Sequence, residues 1–296
     1  MVASSWIQCS EEVADALSEG RGVVALESTI LAHGFPEPER RPLADALEDE
    51  VRAQGATPAT IAVIDGELKV GLSPLELDRI TDSRTEVAKS GALDLAVHCA
   101  RRTTAATTVS ATCFAAAALG IRFFATGGIG GVHRGDIGDV SSDLGELARS
   151  NMAVISAGAK SILDLGRTLE ALETLGVLVV GYGTDEMPAF YVPVSGLPLN
   201  HRVDDSVELA ALVRWRCDRL EQGGILVCNP IASEHALDDE EIRAVITEAI
   251  ASAQAANNRG KSLTPFLLAR VGEATEGRAV VANRALALSN ARDAAA

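Results

Sequence analysis

Positive charge is scarce in this chain, and lysine is its scarcest carrier. Only four of the 26 cationic side chains are lysines (Lys69, Lys89, Lys160 and Lys261); arginine supplies the rest. Against 41 acidic residues this leaves a formal net charge of −15. A surface of that sign repels phosphate backbones, which argues against a nucleic-acid partner and an anionic membrane surface. Aromatic residues make up 3% of the chain, so the core must be built from Ala, Val, Leu and Ile, which suits layers of helix on sheet. Five cysteines (Cys9, Cys99, Cys113, Cys217, Cys228) are scattered without CxxC spacing and read as reduced, mostly buried residues of a cytoplasmic protein. No run is long and apolar enough to span a bilayer. The opening MVASSWIQCSEEVADAL lacks the basic and apolar stretches of a signal peptide.

What is present is an alternation of short apolar runs with helical patterns. VVALES (23–28), IRFFATGG (121–128), MAVISAG (152–158), VLVVGYG (177–183) and GILVCN (224–229) read as buried strands. TIAVIDG (60–66) and ELKVGL (67–72) read as a hairpin about an Asp-Gly turn. Helices are expected over 36–55, 73–81, 107–120, 143–150, 161–175, 204–222, 238–256 and 264–273, with Pro or Ser at several starts. The expected fold is α/β, three layers of α/β/α around a central, mainly parallel but mixed sheet, as a single domain over residues 1–296. PAFYVPVSGLPLNHRVD (188–204) reads as a long surface loop near a site, and the terminal ARDAAA as frayed.

Several constellations invite chemistry. Lys160, in ISAGAKSILDLG, sits among small apolar residues where a strand pattern meets a helix pattern. Arginine cannot shed its proton at working pH, whereas a lysine in apolar surroundings can, and then forms an imine with a sugar aldehyde. A lysine at a helix start with its head in water is the simpler reading. Glu27 ends a buried strand, where α/β proteins bind ligands and where burial lets a carboxyl act as an acid; capping a turn is the plain alternative. ATGGIGGVHRGDIGDVSSDL (125–144) follows a strand, and its glycines let backbone N–H groups approach a phosphate, with His133 and Arg134 as further donors. Asp139, Ser141, Ser142 and Asp143 offer hard oxygens for Mg²⁺ or Mn²⁺, or else cap a helix. Lys89, in EVAKSGALDL, would as a second lysine nearby depress the pKa of Lys160 by like-charge repulsion, or would bind phosphate. Thr108 and Thr112 lie at the start of an Ala-rich helix whose free N–H groups suit an anion. Asn283 and Asn290, seven residues apart, share a face of the last helix, where an amide holds a base or sugar edge.

Together these segments resemble the pseudouridine-5′-phosphate glycosidase family, which includes the indigoidine-operon A proteins. The resemblance spans roughly 10–293 and rests on VALESTILAHGFP, AATTVSAT, FATGGIGGVHRG, DVSSDLGELARS, ISAGAKSILDLG, VVGYGTDEMPAFY and TPFLLAR. It implies that Lys160 is the imine-forming nucleophile, Glu27 the proton donor and Asp139 the ligand of one Mn²⁺ per subunit, other divalent cations being alternatives. It also implies that Lys89, Val109, Ser141, Ser142 and Asp143 contact substrate, Val109 through its N–H. The implied reaction is the reversible cleavage of pseudouridine 5′-phosphate to uracil and ribose 5-phosphate by a homotrimer, classed among the carbon-oxygen lyases. Departures fall beside these residues: SGALDL follows Lys89 where the family often has VSRRDL, Ala105 and Ala106 replace a more Gly-containing stretch, and LSNA replaces an Asn-Asn pair. Another Schiff-base lyase or aldolase, or a sugar-phosphate-binding protein without turnover, would use the same residues.

Overall fold

The computed structural model describes residues 6–135, 138–258, 260 and 263–296. Lys261, Asp136 of the glycine-rich stretch and residues 1–5 lie outside them. Eleven strands form one mixed sheet among the described residues. Its main path runs Ile7–Cys9, Glu67–Val70, Thr57–Ile64, Val23–Glu27, Phe123–Ala125, Ala153–Ser156, Ile225–Cys228, Leu178–Tyr182 and Arg202–Val203. From Thr57–Ile64 to Arg202–Val203 every neighbouring pair is parallel. Strands 23–27 and 57–64 are buried at every position, as a sheet covered on both faces requires. This is the three-layer arrangement the sequence predicts.

The hairpin forms as expected. Thr57–Ile64 and Glu67–Val70 pair antiparallel, and both turn residues, Asp65 (φ 51°) and Gly66 (φ 87°), take the left-handed conformation of a type I′ turn. Ser73 and Glu76 close a capping box on helix Pro74–Thr81.

A strand change at Ile61 positions the site. Strand 23–27 ends opposite Ile61, and beyond it Ala105–Thr107 takes over the same edge of Thr57–Ile64, running the other way. The hydroxyls of Ser28 and Thr107 both donate to the Ile61 carbonyl at 2.6 Å, and the Thr107 N–H donates to Ser28 Oγ at 2.9 Å. The junction is polar yet fully paired, so it can be buried. It places Glu27 at a break inside the sheet, the kind of switch point where α/β folds bind ligands.

Four expectations are corrected. The helix expected over 107–120 begins at Val109, because Ala105–Thr107 is a strand. The helix expected from 161 begins at Leu165; Leu163–Asp164 is a short strand paired with Val132–His133, so Lys160 lies in a turn rather than at a helix start. Segment 188–204 is not a surface loop throughout: Phe190 and Tyr191 are 1% and 2% exposed, pack edge-to-face at 4.7 Å and draw the chain into the core. The terminus is not frayed, since helix Arg278–Ala295 buries Ala291 and Ala294.

Candidate active site

Two strips of chain lie side by side and carry the site. Residues 127–133 follow strand 123–125, and residues 157–164 follow strand 153–156. The Ala157 N–H donates to the Gly127 carbonyl (3.0 Å), the Ile129 N–H to Gly158 O (3.0 Å) and the Lys160 N–H to Ile129 O (3.1 Å). Lys160 is thereby fixed by its backbone to the glycine-rich strip. Arg134, expected as a donor to ligand, instead donates to the carbonyls of Leu163 (3.1 Å) and Ser161 (3.0 Å), bracing the Lys160 turn from outside.

Glycine at 130 has a steric reason. A Cβ there would meet Ser141 Oγ at 2.3 Å and Asp143 Oδ2 at 2.7 Å. That contact is where Asp143, 6% exposed, gathers the site: its carboxylate accepts from the N–H of Gly130 (2.9 Å) and of Ser110 (2.9 Å). One side chain thus ties the glycine strip to the first turn of helix Val109–Ala118. Ser141 caps helix Ser142–Arg149 by accepting from the Asp143 N–H at 3.2 Å, the capping role weighed for this segment. Hydroxyls of Thr108, Ser110 and Ser142 form a chain at 3.0 and 3.2 Å. The Val109 N–H has no hydrogen-bond partner among the described residues, which leaves a donor at a helix N-terminus for an anion.

These elements enclose a cavity of about 400 Å³, within the range of roughly 300–1,000 Å³ common for small-molecule sites. Its lining includes Glu27, Lys89, Thr108, Val109, His133, Asp139, Ser141, Ser142, Asp143, Lys160 and Asn283. The structure therefore gathers residues spread over the whole chain. Thr112 is not among them: its hydroxyl donates to Thr107 Oγ1 at 3.0 Å and belongs to the strand junction. It lies one turn further along the helix than Thr108, past the free N–H groups of the first turn.

Glu27 is 5% exposed, and burial raises its carboxyl above the ordinary range. Lys160, the Thr126 hydroxyl and Lys89 act in the opposite direction, while Asp143 adds to the rise. The Thr126 hydroxyl donates to Glu27 Oε1. The Lys160 amine makes no hydrogen bond or ion pair with any described residue, although it faces the cavity. His133 is lowered chiefly by burial, so at neutral pH it offers a neutral imidazole.

Two cavity residues carry a stronger hint of a ligand. His33 Nε2 and Asn283 Oδ1 are buried without a hydrogen-bond partner in the described structure. Such atoms are costly unless something fills the space beside them. Asn283 was expected from its place on the last helix. His33, six residues beyond Glu27 within the helix Thr29–His33, was missed, as were Thr126 and Phe190. Phe190 adopts φ 65°, rare for a bulky residue, and lies where a Cβ on Gly128 would come within 2.6 Å of its ring.

For a metal, the donor set is thin. Among the described residues no group of three His, Cys, Asp or Glu side chains is placed to share an ion. Asp143 is committed to backbone N–H groups, whereas the Asp139 carboxylate accepts no hydrogen bond from a described residue. The residues fit a hydrated divalent cation held at one carboxylate, not a protein-built cage.

Comparison with known proteins shows the family. Residues 12–296 match the family model described as indigoidine synthase A like protein. The pseudouridine-5′-phosphate glycosidase of Caldanaerobacter subterraneus subsp. tengcongensis is 52% identical over 289 residues, 97% of this chain and 94% of that protein. The protein of the same name from Petrotoga mobilis is 47% identical, covering 99% and 96%. Among solved structures, the prealnumycin C-glycosynthase in complex with ribulose 5-phosphate is 38% identical with a TM-score of 0.88, covering 99% of this chain and 95% of that one. An indigoidine synthase A-like protein from Thermotoga maritima is 34% identical with a TM-score of 0.89, covering 98% and 94%.

Proposed function

Because the chain belongs to the indigoidine synthase A-like family, we propose that it reversibly cleaves the C–C glycosidic bond of pseudouridine 5′-phosphate, giving uracil and ribose 5-phosphate. The observation that carries this is that the Lys160 amine, without a hydrogen bond or ion pair among the described residues, shares one cavity with the buried Glu27, whose carboxyl burial raises above its ordinary range. The relatives' names add the substrate.

A C–C bond offers no leaving oxygen or nitrogen to protonate, so ordinary glycosidase chemistry is unavailable. An amine supplies an alternative. Glu27 protonates the ring oxygen O4′ as Lys160, in its free-base form, bonds C1′ and opens the ribose ring. The nitrogen lone pair then expels the base: the C1′–C5 electrons go to uracil C5, which takes a proton, and a C=N bond forms. Water adds to that imine, releasing ribose 5-phosphate and the lysine amine. Net, one water is consumed; run backwards, the same steps make the C-nucleotide, which is the sense in which a hydro-lyase class fits.

The phosphate would be held by Lys89, the Val109 N–H and the hydroxyls of Thr108, Ser141 and Ser142, with Asp143 keeping that wall in place. Asn283 and His133 would face the sugar or base. Asp139 would hold a hydrated Mn²⁺, or another divalent cation, one per subunit, which when bound screens phosphate charge. A homotrimer in the cytoplasm completes the reading; five free cysteines suit a reducing compartment.

The test is incubation of the purified protein with pseudouridine 5′-phosphate. Free uracil and ribose 5-phosphate are expected, and borohydride added during turnover should fix a pentose phosphate on Lys160. Binding without uracil release would refute the reaction. The likeness to a C-glycosynthase that holds ribulose 5-phosphate favours a second reading, an imine-forming enzyme acting on another sugar phosphate or aglycone. Pentose trapping at Lys160 without uracil turnover would select it.

A further inference from the structure

Asn290 is wholly buried, and its amide is fully engaged. Nδ2 donates to the carbonyls of Thr126 (2.7 Å) and Gly127 (3.5 Å), and Oδ1 accepts from Asn229 Nδ2 (3.0 Å). Asn229 Nδ2 also donates to Asp293 Oδ2 (2.7 Å), which accepts from Ser289 Oγ (3.3 Å). On the other side, the Thr126 N–H donates to the Ile155 carbonyl at 3.1 Å. The peptide units around Thr126 are thus held from the sheet at the amide and from the last helix at the carbonyl. The threonine hydroxyl has a single proton to donate, and it donates to Glu27 Oε1. Thr126 and Glu27 are 4% and 5% exposed, so this hydrogen bond is made inside the protein rather than at its surface.

We propose that Asn290 and Thr126 form a positioning unit for Glu27: Asn290 fixes the Thr126–Gly127 backbone from behind, and the Thr126 hydroxyl holds the Glu27 carboxyl in one orientation while favouring its ionised form. The proposal rests on Glu27 being the proton-transfer group of the reaction above. The other groups acting on that carboxyl are Lys160 from the 157–162 turn and Lys89 from strand Ala88–Ser90, both favouring ionisation, and Asp143 from helix Ser142–Arg149, opposing it. Burial opposes it most. Removing the hydroxyl shifts this balance towards the protonated acid, so the pH at which Glu27 titrates must rise.

The experiment is the pH profile of kcat/KM for pseudouridine 5′-phosphate. Glu27→Gln should abolish one limb and thereby mark it as the limb of Glu27. Thr126→Val should move that limb to higher pH by about one to two units, the size of a hydrogen bond to a charged group. Thr126→Ser should leave it in place. Asn290→Ser should move it the same way by less, and Thr126→Val combined with Asn290→Ser should match Thr126→Val alone, because Asn290 acts through Thr126. A purely structural Asn290 would lower stability and rate at every pH with the limb unmoved. If Glu27→Gln keeps the wild-type limb, the role of Glu27 falls. If it loses the limb while Thr126→Val leaves it where it was, the positioning unit falls. Thr126→Val, isosteric with the residue it replaces, decides the matter should Asn290→Ser fail to fold.

Discussion

Replacing Asp143 by Asn keeps the side-chain shape and removes its charge. In the wild type one carboxylate accepts from two backbone N–H groups, Ser110 (buried) and Gly130 (partly buried), each at 2.9 Å. An amide has only one oxygen. If it faces one N–H, its own NH₂ faces the other, so one bond is lost and the survivor is no longer charge-assisted. A hydrogen bond to a charged group contributes about 1.5–3 kcal/mol, and a neutral one about 1 kcal/mol. The loss therefore comes to about 2–5 kcal/mol. At roughly 2.1 cal/mol/K of unfolding entropy per residue, a chain of 296 residues should melt about 3–8 °C lower. Urea denaturation with an unchanged m-value would give the energy directly. The same change loosens helix Val109–Ala118 from the glycine strip, so KM for the nucleotide should rise as well. An Asp143→Asn protein within about 0.5 kcal/mol of wild type, a typical surface-substitution effect, would show that the carboxylate does not hold these elements together.

Lys160→Ala should fold with the wild-type circular dichroism and show no borohydride-trapped adduct; turnover near the wild-type rate would end the imine mechanism. Chelation followed by added Mn²⁺ should abolish and restore activity, and Asp139→Asn should raise the Mn²⁺ concentration needed for half-restoration; an unaltered titration would remove Asp139 as ligand. Glu48 is mostly buried, and burial raises its carboxyl above the ordinary range despite help from Thr60 and Arg52. Its protonated form is favoured by folding, so its contribution is fully present below the unfolded value of 4.5 and is lost as pH rises through the folded value. Glu48→Gln should remove that decline, seen as a flatter urea-midpoint curve across the window above 4.5; a curve parallel to wild type would refute it. Gly128→Ala should cost about 1–3 kcal/mol by overpacking against the Phe190 ring, with Phe190→Leu in the same chain recovering part of it; a melt identical to wild type would show the ring can move aside.

What could be read from the residues alone follows the length of each signal. Asp65-Gly66 announces a hairpin because few residues tolerate the left-handed backbone its turn demands. The long buried strands show because four apolar residues stand together in each (VVAL, IAVI, MAVI, VLVV, ILVC). Ile7–Cys9, Ala88–Ser90 and Ala105–Thr107 have three residues each, too few to display a period, and so escape notice. Segment 188–204 misleads because its prolines and glycines mask Phe190 and Tyr191, which bury themselves all the same. In the site, Lys160 and Glu27 stand out as charges at the ends of apolar runs. Thr126 and His33 do not, since a threonine after a strand and a histidine in a short helix are unremarkable until the chain folds beside Glu27. Thr112 shows the reverse error: a hydroxyl near a helix start suited an anion site, but it lies one turn in and its proton goes to Thr107.

Every strand of the sheet precedes helix Arg278–Ala295 in the chain, yet that helix brings Asn283 to the cavity and Asn290 to the back of Thr126. Translation therefore delivers Lys160 and Glu27 first and the helix behind them last. Under the proposed function, a polypeptide halted before Arg278 would carry both of those side chains but lack Asn283 in the cavity and Asn290 behind Thr126.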